Sequence, residues 1–341
     1  MPDQKIYIIA TTISGSISDW SKVEKIVPLF KEHGIVNVEL FAVDSHKAAR
    51  KKTAGCILEG GRIIISAGGS GTFNSVLEGC CDSGVPLNEI TLGFLRKGSA
   101  DLIGKTLGMP DEINQAVQVF AESIKQKKTA PCDILFAESA LGKSVPRHFV
   151  GYGGAEIFGM IPYFTENRFI KYYKGILSQL FGDLGPFFIG ALLACAKKQV
   201  IRLNTGKKKW RVIVDGEERD TGYFQAFIIV NGDLGKDMPL AKDKPLGSGN
   251  FYLFTLRDQG MLRLMGQFRS TWDASVLSDP DKWGFNSYEV HKELKLVPDT
   301  EKQFEINVDG STMHCAQSAV ISKVDTINLI SGREYYQKHY A

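Results

Sequence analysis

Short apolar runs alternate with amphipathic segments over the first 130 residues of the chain. Four runs are continuous enough for buried parallel strands, at residues 5–10, 36–43, 62–67 and 91–95. Apolar residues at helical spacing predict helices around 23–34, over 45–58, from 72 onward and over 111–125. Strands that alternate with helices indicate βαβ units and a mostly parallel sheet.

The pattern changes near residue 130. Residues 132–153 resemble strands, and a helical segment follows over about 165–200. Beyond residue 200 the pattern predicts short strands at 210–214, 223–231, 249–256, 289–297 and 304–308. Two Val-Asp-Gly sequences, ending at Gly216 and Gly310, predict hairpins that resemble each other. This half is therefore expected to be an antiparallel sandwich or barrel.

Length and composition narrow the class of protein. A chain of 341 residues exceeds the ~250 residues at which single cores stop growing, so two domains are expected. A net charge of +3, from 41 basic and 38 acidic residues, gives no reason to expect a nucleic-acid partner.

Cysteine usage and the apolar runs indicate the compartment. The six cysteines form no CxxC pair, so reduced thiols are expected. The N-terminus enters a strand without a signal-peptide cleavage site. The longest apolar run, 184–195, is far shorter than the ~20 residues of a membrane span. We therefore expect a cytoplasmic protein, either soluble or peripheral to a membrane.

A strand, the sequence GGSGT and a helix follow one another at residues 63–77. Such a loop presents backbone N–H groups and the positive end of a helix dipole, and small residues let a phosphate come close. The alternative is a plain tight turn between strand and helix. The loop matches neither the GxGxxG nor the GxxxxGK[ST] motif. Because it has no Walker lysine, ordinary P-loop chemistry is excluded.

The segment IIISAGGSGTFNSVLEG at 63–79 resembles the GGDGT segment of the diacylglycerol kinase catalytic family, which includes sphingosine, ceramide and bacterial lipid kinases. Further similarities follow in the family's order over about 300 residues. Residues 11–15 stand where the family has NPxSG, and residues 98–108 resemble its PxGTxND…A..LG loop. Residues 149–159 resemble the opening of its C-terminal domain. Residues 231–232 match its Asn-Gly, and residues 308–311 (VDGS) match the VDGE of bacterial members.

The resemblance implies an ATP-dependent lipid kinase that transfers the γ-phosphate to a hydroxyl of a diacylglycerol, ceramide or sphingoid lipid. Residues 1–130 would form an α/β nucleotide-binding domain of the NAD-kinase type. Residues 131–325 would form an all-β sandwich on the lipid side, with the helical insertion at about 165–200, and 326–341 would pack back on the first domain. ATP and Mg²⁺ are the implied cofactors, the lipid lies at a membrane surface, and a homodimer is left open.

The resemblance also implies which residues bind ATP. They are Thr11, Ser14, Gly15, Gly68, Gly69, Ser70, Gly71, Thr72, Gly98 and Ser99.

Several family positions carry different residues here. Ser70 replaces the acid of GGDGT, Thr11-Thr12 replaces Asn-Pro, Arg96 replaces a proline, and Ser311 replaces the late glutamate that looks like a general base in bacterial members. Serine has no charge at pH 7 and is a poor base on its own.

Three interpretations follow from these replacements. In the first, the enzyme is active and the catalytic candidates are Asp101, at the asparagine position of the 98–108 loop, Glu217, in the other Val-Asp-Gly hairpin, and Ser311. As structural roles, Asp101 would cap a helix and Glu217 would be a solvated turn residue. In the second, the protein is a catalytically degenerate regulator that binds nucleotide or lipid. In the third, the loop holds another phosphate ligand, as in a kinase of a soluble substrate such as NAD. No residue is assigned to a metal.

Overall fold

The computed structural model describes residues 4–11, 20–96, 102–141, 144–165 and 185–340. The chain divides into two compact units. The first runs to Ile134 and includes Pro245–Ser248 and the segment from Val324 onward. The second contains Leu135–Lys244 and Gly249–Lys323.

The first unit is built on a parallel sheet. Its strands are β1 (Ile6–Thr11), β2 (Val38–Val43), β3 (Ile63–Gly68) and β4 (Thr91–Arg96). Strand β1 pairs with β2 on one side and β3 on the other, and β3 pairs with β4. Asn328 and Leu329 extend the sheet by pairing in parallel with Thr91 and Leu92 of β4. Every residue of β1 and β3 is buried, as expected for parallel strands covered on both faces.

Helices alternate with these strands. They are α1 (Trp20–Glu32), α2 (His46–Leu58), α3 (Ser70–Asp82), α4 (Leu102–Thr106) and α5 (Ile113–Lys125). Side chains cap two of them: the Ser45 hydroxyl accepts a hydrogen bond from the Ala48 amide at 3.2 Å, and the Glu112 carboxylate accepts one from the Gln115 amide at 3.0 Å. These caps explain why α2 and α5 begin where they do.

The second unit is rich in antiparallel strands, two of which also include residues of the first unit. They are β5 (Thr129–Ser139), β6 (Arg147–Phe149), β7 (Tyr152–Ala155), β8 (Lys209–Val214), β9 (Glu217–Val230), β10 (Phe251–Arg257), β11 (Phe285–Val290), β12 (Glu293–Pro298), β13 (Phe304–Val308), β14 (Ser311–Cys315) and β15 (Ala319–Ile330). One sheet contains β8, β12 and the first residues of β15, and the other contains β7, β10, β11, β13 and β14. The long strand β9 belongs to both, because its first half pairs with β8 and its second half with β7 and β10.

One hydrophobic cluster joins the two sheets. Trp210 and Leu294 come from the first sheet, and Phe227, Phe251 and Ile306 come from the second. Trp210 meets Phe227 edge-on, with ring centroids 5.2 Å apart. The two sheets therefore face each other across one core, in the manner of a sandwich.

Helices complete the second unit. They are α6 (Glu156–Thr165), α7 (Gly185–Thr205), α8 (Met261–Trp272) and α9 (Pro280–Trp283), and α10 (Arg333–Tyr340) follows β15 in the first unit. Among the helices in the described parts of the chain, none is both long and apolar enough to cross a bilayer.

The two Asp-Gly hairpins are confirmed, at β8–β9 and β13–β14. Asp215 and Asp309 both have positive φ, at 53° and 43°, as primed hairpin turns require. Each aspartate also binds three consecutive amides elsewhere in the unit. Asp215 accepts from residues 291, 292 and 293, and Asp309 accepts from residues 150, 151 and 152. The carboxylates thus fix where β12 and β7 begin.

The predicted fold class is confirmed: an α/β first unit and a sheet-rich second unit. The single strand predicted over 289–297 is wrong, because His291 and Lys292 turn the chain between β11 and β12 while their amides bind Asp215. The helical segment predicted over 165–200 appears as parts of α6 and α7, and residues 166–184 lie outside the described residues. Helix α8 was not predicted.

All six cysteines are free. The adjacent pair, Cys80 and Cys81, lies on α3. Burial raises the pKa of the Cys80 thiol well above its usual value and that of Cys81 to about 12. Such thiols are protonated at neutral pH and serve packing.

Candidate functional site

The candidate site lies where β1 and β3 end. Strand β1 lies between β2 and β3 in the sheet, so the chain adds β2 on one side of β1 and β3 on the other. In open parallel sheets the strand order reverses at such a point, and ligands bind in the crevice beyond the carboxyl ends of the two strands. Thr11 ends β1 and Gly68 ends β3, so two of the predicted site residues flank this position.

The loop after β3 passes directly into a helix. Gly69 is the N-cap, with φ −88° and ψ −175°, and Ser70 begins α3. The amides of Thr72 and Phe73 donate to the Gly69 carbonyl, at 3.0 and 3.1 Å. The amides of Ser70 and Gly71 belong to the first helical turn, where the helix itself provides no acceptor. This turn therefore has the geometry and dipole that favour an anion.

The three glycines of the loop have different surroundings. A Cβ on Gly68 would collide with the Thr72 hydroxyl and lie 2.7 Å from Thr72 Cβ. A Cβ on Gly71 would lie 2.8 Å from Cε1 of His46. A Cβ on Gly69 would have no atom of the described residues within 4 Å. Packing within the protein explains the first two glycines, whereas the open side of Gly69 is space that a ligand can occupy.

A buried hydrogen bond joins the two strand ends. The hydroxyls of Thr11 and Thr72 lie 2.6 Å apart, and both side chains are almost fully buried. Their contact holds the first turn of α3 against the end of β1. The structure thus brings together two residues that the sequence assigns to the same site.

Replacing Thr72 with Val, which has the same shape, should lower the free energy of unfolding by about 0.5–1.5 kcal/mol, because the buried hydrogen bond between the Thr11 and Thr72 hydroxyls is lost. Urea denaturation measures this loss. The double variant Thr11→Val with Thr72→Val should lose less than the sum of the two single variants, since both remove the same hydrogen bond. A double variant whose loss equals the sum of the single losses would contradict the coupling.

Several predicted site residues cannot be placed. Ser14, Gly15, Gly98, Ser99 and Asp101 lie outside the described residues. Strand β4, which leads to the 98–108 loop, ends at Arg96 at the same edge of the sheet as Thr11 and Gly68. Within the described parts of the chain, no three His, Cys, Asp or Glu side chains are placed to hold a metal ion. The described residues thus offer no protein cage for Mg²⁺.

The other two catalytic candidates lie in the second unit, each at its own Asp-Gly hairpin. Glu217 begins β9, is exposed, and pairs with Arg219 at 2.9 Å. Ser311 begins β14 opposite Val308. Glu217 therefore has the surroundings of a surface turn residue. Its exposed ion pair with Arg219 contributes little to stability.

Asp309 fixes the hairpin that carries Ser311. Its carboxylate accepts from the amides of Val150, Gly151 and Tyr152, at 2.9, 3.1 and 2.8 Å. Burial raises the pKa of this carboxyl, although the three amides act in the opposite direction. Asp309 is therefore a positioning residue that ties Ser311 to the start of β7.

Residues 5–135 match the profile of the diacylglycerol kinase catalytic domain. This part of the chain is similar to that catalytic domain. Diacylglycerol kinases of two Staphylococcus aureus strains, JH9 and Newman, are each 24% identical over 233 residues, which cover 61% of this chain and 68% of the relative. A diacylglycerol kinase structure from Bacillus anthracis has a TM-score of 0.66 at 16% identity, covering 98% of this chain and 99% of that one. At this identity the structural likeness concerns the fold alone.

The family resemblance drawn from the ordered motifs is thereby confirmed. Within the family segment, Ser70 occupies an exposed position at the start of α3, beside the open side of Gly69. A hydroxyl at this place brings no negative charge to the anion-favouring turn, in contrast to the acid of GGDGT.

His46 is a residue of the family segment that sequence reasoning missed. It begins α2, and its ring would be 2.8 Å from a Cβ on Gly71. Its proximity to the loop arises because β1 carries β2 on one side and β3 on the other, so that α2 and α3 become neighbours. The sequence does contain a signal for this residue, because His46 comes just after the predicted end of the second strand.

A buried ion pair in the second unit was also missed. Glu156 has a positive φ of 60° and accepts from Lys198 Nζ at 2.8 Å and Trp210 Nε1 at 2.9 Å. Lys198 also donates to the carbonyls of Phe224 and Gln225, at 2.6 and 2.9 Å. Burial lowers the pKa of Lys198 to about 8, although Glu156 partly opposes this. Glu156 lies within the family-like segment 149–159, whose glycines and apolar residues make a lone carboxylate conspicuous.

Proposed function

We propose that this chain is an ATP-dependent lipid kinase that transfers the γ-phosphate of ATP to a lipid hydroxyl. The observation that carries the proposal is the open side of Gly69, at the first turn of α3 and at the strand-order reversal of a diacylglycerol kinase catalytic domain. The substrate would be a diacylglycerol, ceramide or sphingoid lipid reached at a membrane surface. Residues 68–72 would hold the phosphates, with Thr11, Ser14, Gly15, Gly98 and Ser99 lining the same site.

Phosphoryl transfer depends mainly on holding the phosphates in line and on offsetting their charge. The amides of Ser70 and Gly71 and the α3 dipole would supply part of that offset. His46, packed against Gly71, is placed to add a donor. Mg²⁺ would enter as the counter-ion of the triphosphate, and no step is assigned to a metal held by the described side chains.

Removal of the lipid hydroxyl proton requires a base. Asp101 is the proposed candidate on the nucleotide side, and Glu217 and Ser311 are the candidates from the second unit. Ser311 sits on a hairpin that Asp309 holds in place, which supports a role in positioning the hydroxyl. Loss of a general base typically lowers the rate about 10²–10⁴-fold, so slow turnover is expected where serine replaces the acid.

The test is an assay with γ-labelled ATP, Mg²⁺ and mixed micelles that contain diacylglycerol, ceramide or sphingosine. We expect label in at least one lipid, about 10²–10⁴-fold more slowly than with a Staphylococcus aureus diacylglycerol kinase as control. Asp101→Asn should lower this rate further. No labelled lipid from folded, ATP-binding protein would refute the kinase proposal.

A second candidate function is a regulator that binds nucleotide or lipid without turnover. The observation in its favour is the serine at both family acid positions, Ser70 and Ser311. The double variant Ser70→Asp with Ser311→Glu separates the two functions. New activity in an inert protein would favour the regulator, whereas loss of existing activity would favour an enzyme whose site has been rearranged.

A further inference from the structure

The second unit contains a partly open cavity, lined by charged and aromatic side chains, that the kinase proposal does not use. Its volume is about 370 Å³, and helices α6 and α7 line it together with β8, β9, β13 and β14. Lys198, Lys208 and Glu156 contribute charged groups, and Trp210 and Phe304 contribute aromatic surface. This space is large enough for a phosphate group with a short organic stem.

Two buried aromatic rings form one part of the cavity lining. Trp210 and Phe304 meet edge-on, with centroids 5.0 Å apart and an angle of 89°, and both are buried. The Lys208 ammonium lies over both rings, 4.9 and 5.5 Å from their centroids. Charges beside such a surface interact more strongly than charges in open water.

Positive side chains exceed negative ones in the lining. Lys197, Lys198, Arg202 and Lys208 are four cations, and Glu156 and Glu305 are two anions, so the formal balance is +2 without His314. Arg202 also contacts Asp258, which does not line the cavity, at 3.1 Å. The cavity therefore favours an anionic ligand over a cationic one.

The two carboxylates do not cancel this excess. Glu156 is committed to Lys198 and Trp210, at 2.8 and 2.9 Å. Lys208 lies 3.6 Å from Glu156, beyond hydrogen-bond distance, and is about 30% exposed. Glu305 lies 3.9 Å from Lys197 and 3.7 Å from His314, which are also long separations. Lys208 can thus turn toward an incoming anion without breaking the buried pair.

We propose that this cavity binds a phosphate oxyanion, carried either by a phospholipid headgroup or by a soluble phosphate ester. Lys208 and Lys197 are the ligands, Trp210 and Phe304 pack against the organic stem, and the Glu156–Lys198 pair shapes the wall. Binding at this site requires neither ATP nor the loop after β3. The proposal therefore stands or falls independently of the kinase activity.

The experiment is calorimetric titration of the full chain, without nucleotide, with inorganic phosphate, glycerol 3-phosphate, monomeric dihexanoyl phosphatidic acid and choline. We expect at least one phosphate probe to bind and choline not to bind. Lys208→Ala should weaken binding about tenfold, the loss typical of one charge-assisted hydrogen bond. Glu305→Gln should strengthen it several-fold, because a negative charge leaves the lining.

The control is Lys242→Ala, which removes an exposed lysine of the same unit outside the cavity and should leave binding unchanged. Binding of inorganic phosphate and glycerol 3-phosphate would identify a soluble ester as the source of the oxyanion. Binding of phosphatidic acid alone would identify a lipid headgroup. Absence of phosphate binding, preference for choline, or an affinity that neither Lys208→Ala nor Glu305→Gln changes would overturn the proposal.

Discussion

Lys198→Met should lower the free energy of unfolding by about 3–5 kcal/mol. The substitution removes one partner of a buried ion pair and leaves the Glu156 carboxylate without its nearest cation. It also deprives the carbonyls of Phe224 and Gln225 of their donor. Methionine fills a similar volume, so the loss reflects the uncompensated charge and the unpaired carbonyls rather than a cavity. Guanidinium denaturation at pH 7 measures it.

Two variants control for this interpretation. Lys197→Met changes the adjacent lysine, which is about one-third exposed and 3.9 Å from Glu305, and should cost at most about 1 kcal/mol. Adding Glu156→Gln to Lys198→Met should restore part of the stability, since the carboxylate that had lost its partner becomes neutral. Equal losses for Lys197→Met and Lys198→Met would contradict the assigned role of the pair.

Lys198→Met should also change how the free energy of unfolding depends on pH. Burial lowers the pKa of Lys198 from 10.5 to about 8 in the folded protein. Between these two values the unfolded chain binds more protons at this position than the folded chain, so stability contributed by Lys198 rises with pH across this window. Lys198→Met should lack that rise, which a comparison of unfolding curves at pH 8 and pH 10 detects.

The sequence was most informative where structure is local or periodic. The apolar runs at 5–10 and 62–67 predicted β1 and β3 because a strand buried on both faces needs no partner to be recognised. The Asp-Gly turns identified two hairpins because few other pairs of residues adopt positive φ so readily.

Long-range contacts account for the errors. The break between β11 and β12 depends on Asp215, which is 76 residues away from His291 and binds its amide. The pairing of Glu156 with Lys198 is equally invisible in the sequence, since α7 reads as an apolar helix in which a lysine normally reaches solvent. His46 meets Gly71 only because two helices on the same sheet become neighbours.

In the candidate site, the sequence identified the loop but not the differences among its glycines. All three look alike in GGSGT, and only the surroundings separate Gly68 and Gly71, which pack against Thr72 and His46, from Gly69. Local pattern therefore predicts where a phosphate site lies, and the fold decides which atom is left open for the ligand.

Gly69→Ala should raise the Kd for ATP about tenfold or more while leaving the protein folded. The φ of −88° suits any residue, and among the parts of the chain that the structure describes, no atom lies within 4 Å of a Cβ at this position. Alanine is a poorer N-cap than glycine, so a stability loss below about 1 kcal/mol is expected. The methyl group would instead occupy the space proposed for a phosphate, and a tenfold change in Kd corresponds to only ~1.4 kcal/mol. Titration of ATP by calorimetry, paired with urea denaturation, measures both effects.

Gly55→Ala is the matched control, because its Cβ also meets no described atom within 4 Å but lies in the middle of α2. Alanine there should raise stability by about 0.5–1 kcal/mol through its helix propensity and should not change ATP affinity. Gly68→Ala would be less informative, since its methyl group disturbs the buried Thr11–Thr72 contact and mixes folding with binding. If folded Gly69→Ala binds ATP as tightly as the unmodified chain, the phosphates do not approach this turn and the nucleotide site must lie elsewhere.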